Sequence, residues 1–123
     1  MAHILIIDDS PTDIRVFTSL LEKAGHRVSS ATSAEEGIEA VKQVRPDLVN
    51  MDVIMPGMNG FQATRMLTRD PETERIPVLI ITTKSMETDR VWGLRQGAKD
   101  FLTKPVGEKQ LLARIGILLS GQS

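Results

Sequence analysis

The sequence predicts a doubly wound α/β fold, in which five parallel strands alternate with five helices. Three observations carry that prediction. Short β-rich runs alternate five times with longer stretches of helical periodicity. The runs HILII and PVLIIT are almost unbrokenly apolar, as strands covered by helices on both faces are. Helix start and stop residues fall in the gaps between the runs, which is the grammar of βα units around a parallel sheet.

Taken in order, residues 3–7 (HILII) form a strand buried on both faces. Ser10, Pro11 and Asp13 then act as N-cap, first-turn proline and capping-box acid of the first helix, and Gly25 caps its far end after Leu20, Leu21 and Ala24. Residues 27–31 (RVSSA) are a weaker, more polar strand suited to a sheet edge. Ser33 with Glu36 repeats the capping box, Ile38, Val41 and Val44 form the apolar stripe of the second helix, and Pro46 stops it. A third strand covers 47–52. The third helix begins after Gly60, turns Ala63, Met66 and Leu67 inward, and ends before Pro71. A strand at 77–82 follows, then a helix from about Ser85 to Gln96 carried by Val91 and Leu94 and stopped by Gly97. Residues 100–103 and a fifth helix bearing Leu111, Ile115, Leu118 and Leu119 complete the pattern. Right-handed crossovers leave few arrangements for such a chain, and strand order 2-1-3-4-5 is the commonest.

Length and charge narrow what the chain can do. At 123 residues it is long enough for one domain with a real core and short for two. No linker, repeat or low-complexity tract divides residues 1–123, so a single domain without an appended output domain is expected. A net charge of −1 without long blocks of like charge argues against nucleic acid as a partner. No cysteine is present for a disulfide or a thiolate metal site. No apolar run approaches the roughly 20 residues that span a bilayer, and the N-terminus lacks a signal-peptide core, so the expectation is a cytoplasmic protein with no membrane insertion.

The chemistry sits at the strand ends. Asp8 and Asp9 close the first strand, Asp52 closes the third, and Lys104 follows the fifth and precedes Pro105. In an open parallel sheet these ends share one edge, where ligands bind. Three acids brought together resist joint ionisation, and a divalent cation among them relieves the repulsion. Taken alone, Asp8 and Asp9 would also serve as a helix-capping pair.

The segments IIDDSP, LVNMDVIMPGMNG, IPVLIITT and GAKDFLTKPV, in that order and spacing, resemble the response-regulator receiver domain of two-component signalling. The resemblance spans essentially the whole chain and implies the flavodoxin-like form of the fold. It makes Asp52 the phosphoryl acceptor, with Asp8, Asp9, Asp52 and the backbone carbonyl of Ile54 as Mg2+ ligands, and Lys104 as partner of the transferred phosphate. Thr82 and Phe101 become the switch pair, and Lys104-Pro105 is expected to be cis. The donor would be a histidine kinase, and the output a changed surface over the fourth helix, fifth strand and fifth helix that binds a downstream protein. On this resemblance the chain is a signalling domain, which promotes only its own phosphorylation and dephosphorylation. The run GMNGFQATRMLTRDPET and the segment ITTKSMETDRVWGLRQGAKDFLTKPV are similar to stand-alone regulators of chemotaxis-like systems that control type IV pilus twitching, implying a kinase of the chemotaxis type.

Alternatives remain at the level of residues and of function. Thr82 is also ordinary strand chemistry, Phe101 equally a core aromatic, and Met51, Met55 and Met58 are packing residues. His3 and His26 have no ligand-spaced companions. Trp92, off the Val91 and Leu94 stripe, is expected to be partly exposed on a partner surface. Asn50 stands where the family has an aliphatic residue, Thr83 where it has a small one, and Ile54 and Lys84 occupy positions that tune hydrolysis. A phosphate sink that drains a shared kinase is a rival to the partner-binding module. A small Mg2+-dependent phosphohydrolase is disfavoured because Ile54 replaces the second aspartate such enzymes use. A nucleotide fold is disfavoured because no glycine-rich phosphate loop follows the first strand.

Overall fold

The computed structural model describes residues 1–121, so the expected domain limit at residue 123 lies outside the described residues. Its elements alternate without exception: β1 (His3–Ile7), α1 (Pro11–Lys23), β2 (Arg27–Ala31), α2 (Ala34–Val44), β3 (Leu48–Met51), α3 (Gly60–Arg69), β4 (Val78–Thr82), α4 (Glu87–Arg95), β5 (Asp100–Thr103) and α5 (Glu108–Leu119). All neighbouring strands pair in parallel, in the order β2-β1-β3-β4-β5.

Strand alternation divides the interior into two cores. Leu5, Ile7, Val49, Met51, Val78, Ile80 and Phe101 face a layer built by α2 and α3. Ile4, Ile6, Leu48, Leu79, Ile81 and Leu102 face Phe17 and Leu21 of α1 and Leu111, Ile115 and Leu118 of α5. Burial on both faces is why β1, β3 and β4 tolerate no alternation of polarity, while β2 at the edge keeps Ser29 and Ser30. Asn50 is the exception among central residues. It pairs between Ile6 and Leu79, is buried, and its Nδ2 has no partner among the described residues, an arrangement that costs about 1–3 kcal/mol.

The caps follow the sequence in most places. Ser10 Oγ accepts from Asp13 N at 3.2 Å, Ser33 Oγ accepts from Glu36 N at 3.1 Å, and Gly25 takes the left-handed conformation after α1. Asn59 and Gln62 form a reciprocal box at the start of α3 that the sequence reading did not use. Three expectations about helix faces are corrected. Val44 is exposed, as the last residue of α2, directly before the left-handed C-cap Arg45 where the chain leaves the helix. Met66 is exposed, because it precedes Leu67 by one residue and so lies about 100° round the helix from it. In α4, which starts at Glu87 and not Ser85, Val91 is exposed and the buried residue is Gly93. A Cβ there would lie 3.0 Å from both Ile80 Cδ1 and Phe101 Cδ2, so the missing side chain lets α4 sit flush on the sheet.

The histidines are structural. His3 Nε2 lies 2.7 Å from Ser29 Oγ, and His26 Nδ1 accepts from Ala2 N. Met51 and Met55 are buried and Met58 packs against the same core.

Candidate functional site

The site forms where four strands end. Backbone bonds continue the ladders one step past the strands: Asp8 N donates to Ala31 O, Asp52 N to Ile7 O and Lys104 N to Thr82 O. The main chain therefore fixes Asp8, Asp52 and Lys104 before any side chain acts. Lys104-Pro105 is cis.

The side chains converge. One carboxylate oxygen from each of Asp8, Asp9 and Asp52 lies within 4.8 Å of the others. Asp8 and Asp52 are buried, Asp52 being only 6% exposed, while Asp9 faces solvent. Asp8 Oδ1 accepts from Ser10 N at 2.9 Å and Asp8 Oδ2 from Lys104 Nζ at 2.8 Å. Asp52 Oδ1 accepts from Val53 N at 2.8 Å, and Asp52 Oδ2 lies 3.7 Å from Lys104 Nζ.

The electrostatics follow from that packing. Burial, then the charge of Asp8, pushes the Asp52 carboxyl above its ordinary value, against the opposing pull of Lys104, the Val53 N–H and the Thr82 hydroxyl. For Lys104 burial acts downward, but hydrogen bonds to Asp13 and Asp8 and the charges of Asp52 and Asp8 together hold its pKa above the usual value. The donor set consists of hard carboxylate oxygens that repel one another at the buried end and open to solvent at Asp9. It fits a small divalent cation that keeps part of its hydration shell.

The other expected residues lie around this centre. Thr82 is fully buried and its hydroxyl accepts from Lys84 N at 3.4 Å. Phe101 is already buried, 7% exposed, under Gly93. Ile54 is exposed and lines a cleft with Val53, Asn59, Phe61 and Lys84. Lys84 is held 3.5 Å from Asp89. Thr83 is exposed on the other side, where it borders a groove of about 420 Å³ with Phe17, Lys104 and Pro105. Trp92 stands on the outer face of α4, 48% exposed.

Sequence reasoning missed two participants. Asp13 does not complete a capping box, since Asp8 takes the Ser10 N–H; its carboxylate instead accepts from Lys104 Nζ at 2.7 Å. Asp13 lies in the first turn of α1, and its partner Lys104 is 91 residues away, so no local spacing signalled the contact. Gly60 is the second. A Cβ on it would lie 2.0 Å from the Asp52 carbonyl oxygen, so only glycine lets α3 begin against the backbone that carries Asp52.

Comparison with known proteins agrees with this geometry. The family model described as the response regulator receiver domain matches residues 4–116. Protein PilH of Pseudomonas aeruginosa is 57% identical over 121 residues, an alignment that takes in 98% of this chain and 100% of PilH. The Vibrio cholerae chemotaxis protein CheY4 superposes with a TM-score of 0.89 at 28% identity, covering 96% of this chain and 98% of that one. The receiver domain of the Pseudomonas aeruginosa sensor histidine kinase PA1611, solved with a magnesium ion coordinated in its active-site cleft, gives a TM-score of 0.89 at 25% identity, with 97% and 98% covered.

Proposed function

The chain belongs to the response regulator receiver domain family, and on that premise we propose that Asp52 accepts a phosphoryl group from the phosphohistidine of a kinase. The observation that carries this reading is the setting of Asp52: a buried carboxylate beside an ammonium, within reach of two further carboxylates. Val53 N–H holds Oδ1, which leaves Oδ2, the oxygen facing Lys104, to attack phosphorus. The new P–O bond forms as the P–N bond breaks, and the imidazole nitrogen keeps the electron pair and takes up a proton. Asp8, Asp9, Asp52 and the Ile54 carbonyl would hold Mg2+, which supplies charge neutralisation and orientation for the phosphoryl oxygens. Lys104 donates to the transferred group, and the buried Thr82 hydroxyl stands at the end of β4 to receive a phosphoryl oxygen.

The response passes to the surface over α4, β5 and α5, where Trp92 is exposed and Phe101 lies beneath Gly93. A downstream protein reads that surface. The identity to PilH over the whole of that protein supports a single-domain regulator. With the resemblance of the third and fourth helices, it also supports a place in chemotaxis-like control of twitching motility, with a kinase of the chemotaxis type. No described helix is long and apolar enough to cross a membrane, in keeping with a regulator that meets its kinase in the cytoplasm.

The test is direct. Wild type and Asp52→Asn are incubated with Mg2+ and acetyl phosphate and compared by intact mass. Wild type is expected to gain one phosphoryl group and the variant none. A wild type without the added mass, or a variant with it, overturns the assignment.

A further inference from the structure

Lys104 is held by a carboxylate that the phosphoryl chemistry does not use. Its ammonium has three N–H donors. Two are engaged, on Asp8 Oδ2 at 2.8 Å and on Asp13 Oδ2 at 2.7 Å, and the acceptor Asp52 stays at 3.7 Å, beyond hydrogen-bonding distance. The Phe17 ring lies 5.9 Å from the same nitrogen on the α1 side. The resting lysine is therefore drawn toward the first turn of α1 and away from the acceptor.

We propose that Asp13 is a positioning residue that holds Lys104 off Asp52 in the resting state and thereby sets how readily the acceptor is phosphorylated. The proposal rests on the phosphoacceptor reading above. A phosphoryl group arriving on Asp52 needs a donor from Lys104. Asp8 belongs to the acidic triad, so Asp13 is the carboxylate free to release the ammonium. Asp13 has no competing duty in the helix: the Ser10 N–H goes to Asp8, and the Asp13 backbone N–H, not its side chain, makes the cap bond to Ser10. The Asp13 side chain is 37% exposed and borders the groove lined by Thr83 and Pro105, so its charge is partly screened and its hold on Lys104 is breakable.

The experiment compares wild type, Asp13→Asn, Asp13→Glu, Lys104→Met and the Asp13→Asn/Lys104→Met double variant. Phosphorylation by acetyl phosphate with Mg2+ is followed by intact mass across donor concentrations. Asp13→Asn is expected to raise the limiting rate at saturating donor by about two- to fivefold, the range for a partly exposed ion pair. Asp13→Glu, which restores the charge, stays near wild type, and in the Lys104→Met background the two Asp13 forms react equally. An unchanged or lower limiting rate in Asp13→Asn overturns the proposal, as does a gain confined to the donor concentration giving half the limiting rate, or a gain that persists without Lys104. If wild type takes no phosphoryl group at all, the acceptor reading falls and this one with it; if wild type reacts and Asp13→Asn shows no gain, this inference alone falls.

Discussion

Asp52 is raised above its ordinary carboxylate pKa chiefly because it is buried, and that has a defined sign for stability. Between the ordinary value of 3.8 and the raised folded value, the folded state binds more protons than the unfolded one. Stability attributable to this group therefore falls as pH rises through that window, and the deficit persists above it. Asp52→Asn removes the charge. In metal-free thermal melts at pH 7 it is expected to unfold at a higher temperature than wild type, with the difference closing near pH 3. An equal advantage at both pH values would assign the effect to packing and not to charge. The acids and Lys104 were legible because each ends a strand, and strand ends are marked by composition. The partnership of Lys104 with Asp13 was not, since it joins residues 91 apart and depends on where α1 crosses the sheet.

At the scale of elements, α4 is the helix the sequence described least well. Periodicity weights large apolar side chains, and of the Val91 and Leu94 stripe Val91 is exposed and Leu94 only half-buried. The contact is made by Gly93, which has no side chain to register in such a pattern. The same contact makes a prediction. Alanine at 93 gains helix propensity, by up to about 1 kcal/mol, but its Cβ meets Ile80 and Phe101 at 3.0 Å, tighter than ordinary packing. Overpacking costs typically about 1–3 kcal/mol, so Gly93→Ala is expected to lose about 1 kcal/mol net in urea unfolding. The loss should shrink, without vanishing, when Phe101 is shortened to leucine, because Ile80 Cδ1 still lies 3.0 Å from the added Cβ. A penalty of the same size in the Phe101→Leu background would mean that the ring is not what Gly93 accommodates. The caps of α1 and α2 were legible for the opposite reason: Ser10 and Ser33 act through local bonds that sequence spacing records.

Across the whole molecule, parallel pairing places the acidic cluster on one edge, between the two cores and tied to both. Alternation and crossover handedness narrowed the sheet to a few doubly wound arrangements. The observed order β2-β1-β3-β4-β5 is the commonest of them and the one the family resemblance implied, so pattern alone made the layers readable but not the strand order. Asn50, set among aliphatic neighbours one pleat below Asp52, was visible as an oddity but its lack of a partner was not, because satisfaction depends on three-dimensional neighbours. Binding at the cluster should stabilise the entire domain, since the acids belong to the sheet and not to a loose loop. At free Mg2+ about 100-fold above its dissociation constant, linkage contributes about 2.7 kcal/mol, a rise in Tm of roughly 5–10 °C. Wild type is expected to show it in thermal melts and Asp9→Asn to lose most of it. A Tm insensitive to Mg2+ would remove the metal from the site.

Trp92 is the only tryptophan in the chain, half in solvent, and its neighbour Gly93 rests directly on the Phe101 ring. The protein thus carries its own optical gauge. Any repositioning of α4 over that ring alters the water around a single indole, so its emission reports the helix without a label and without a second fluorophore of its kind to separate.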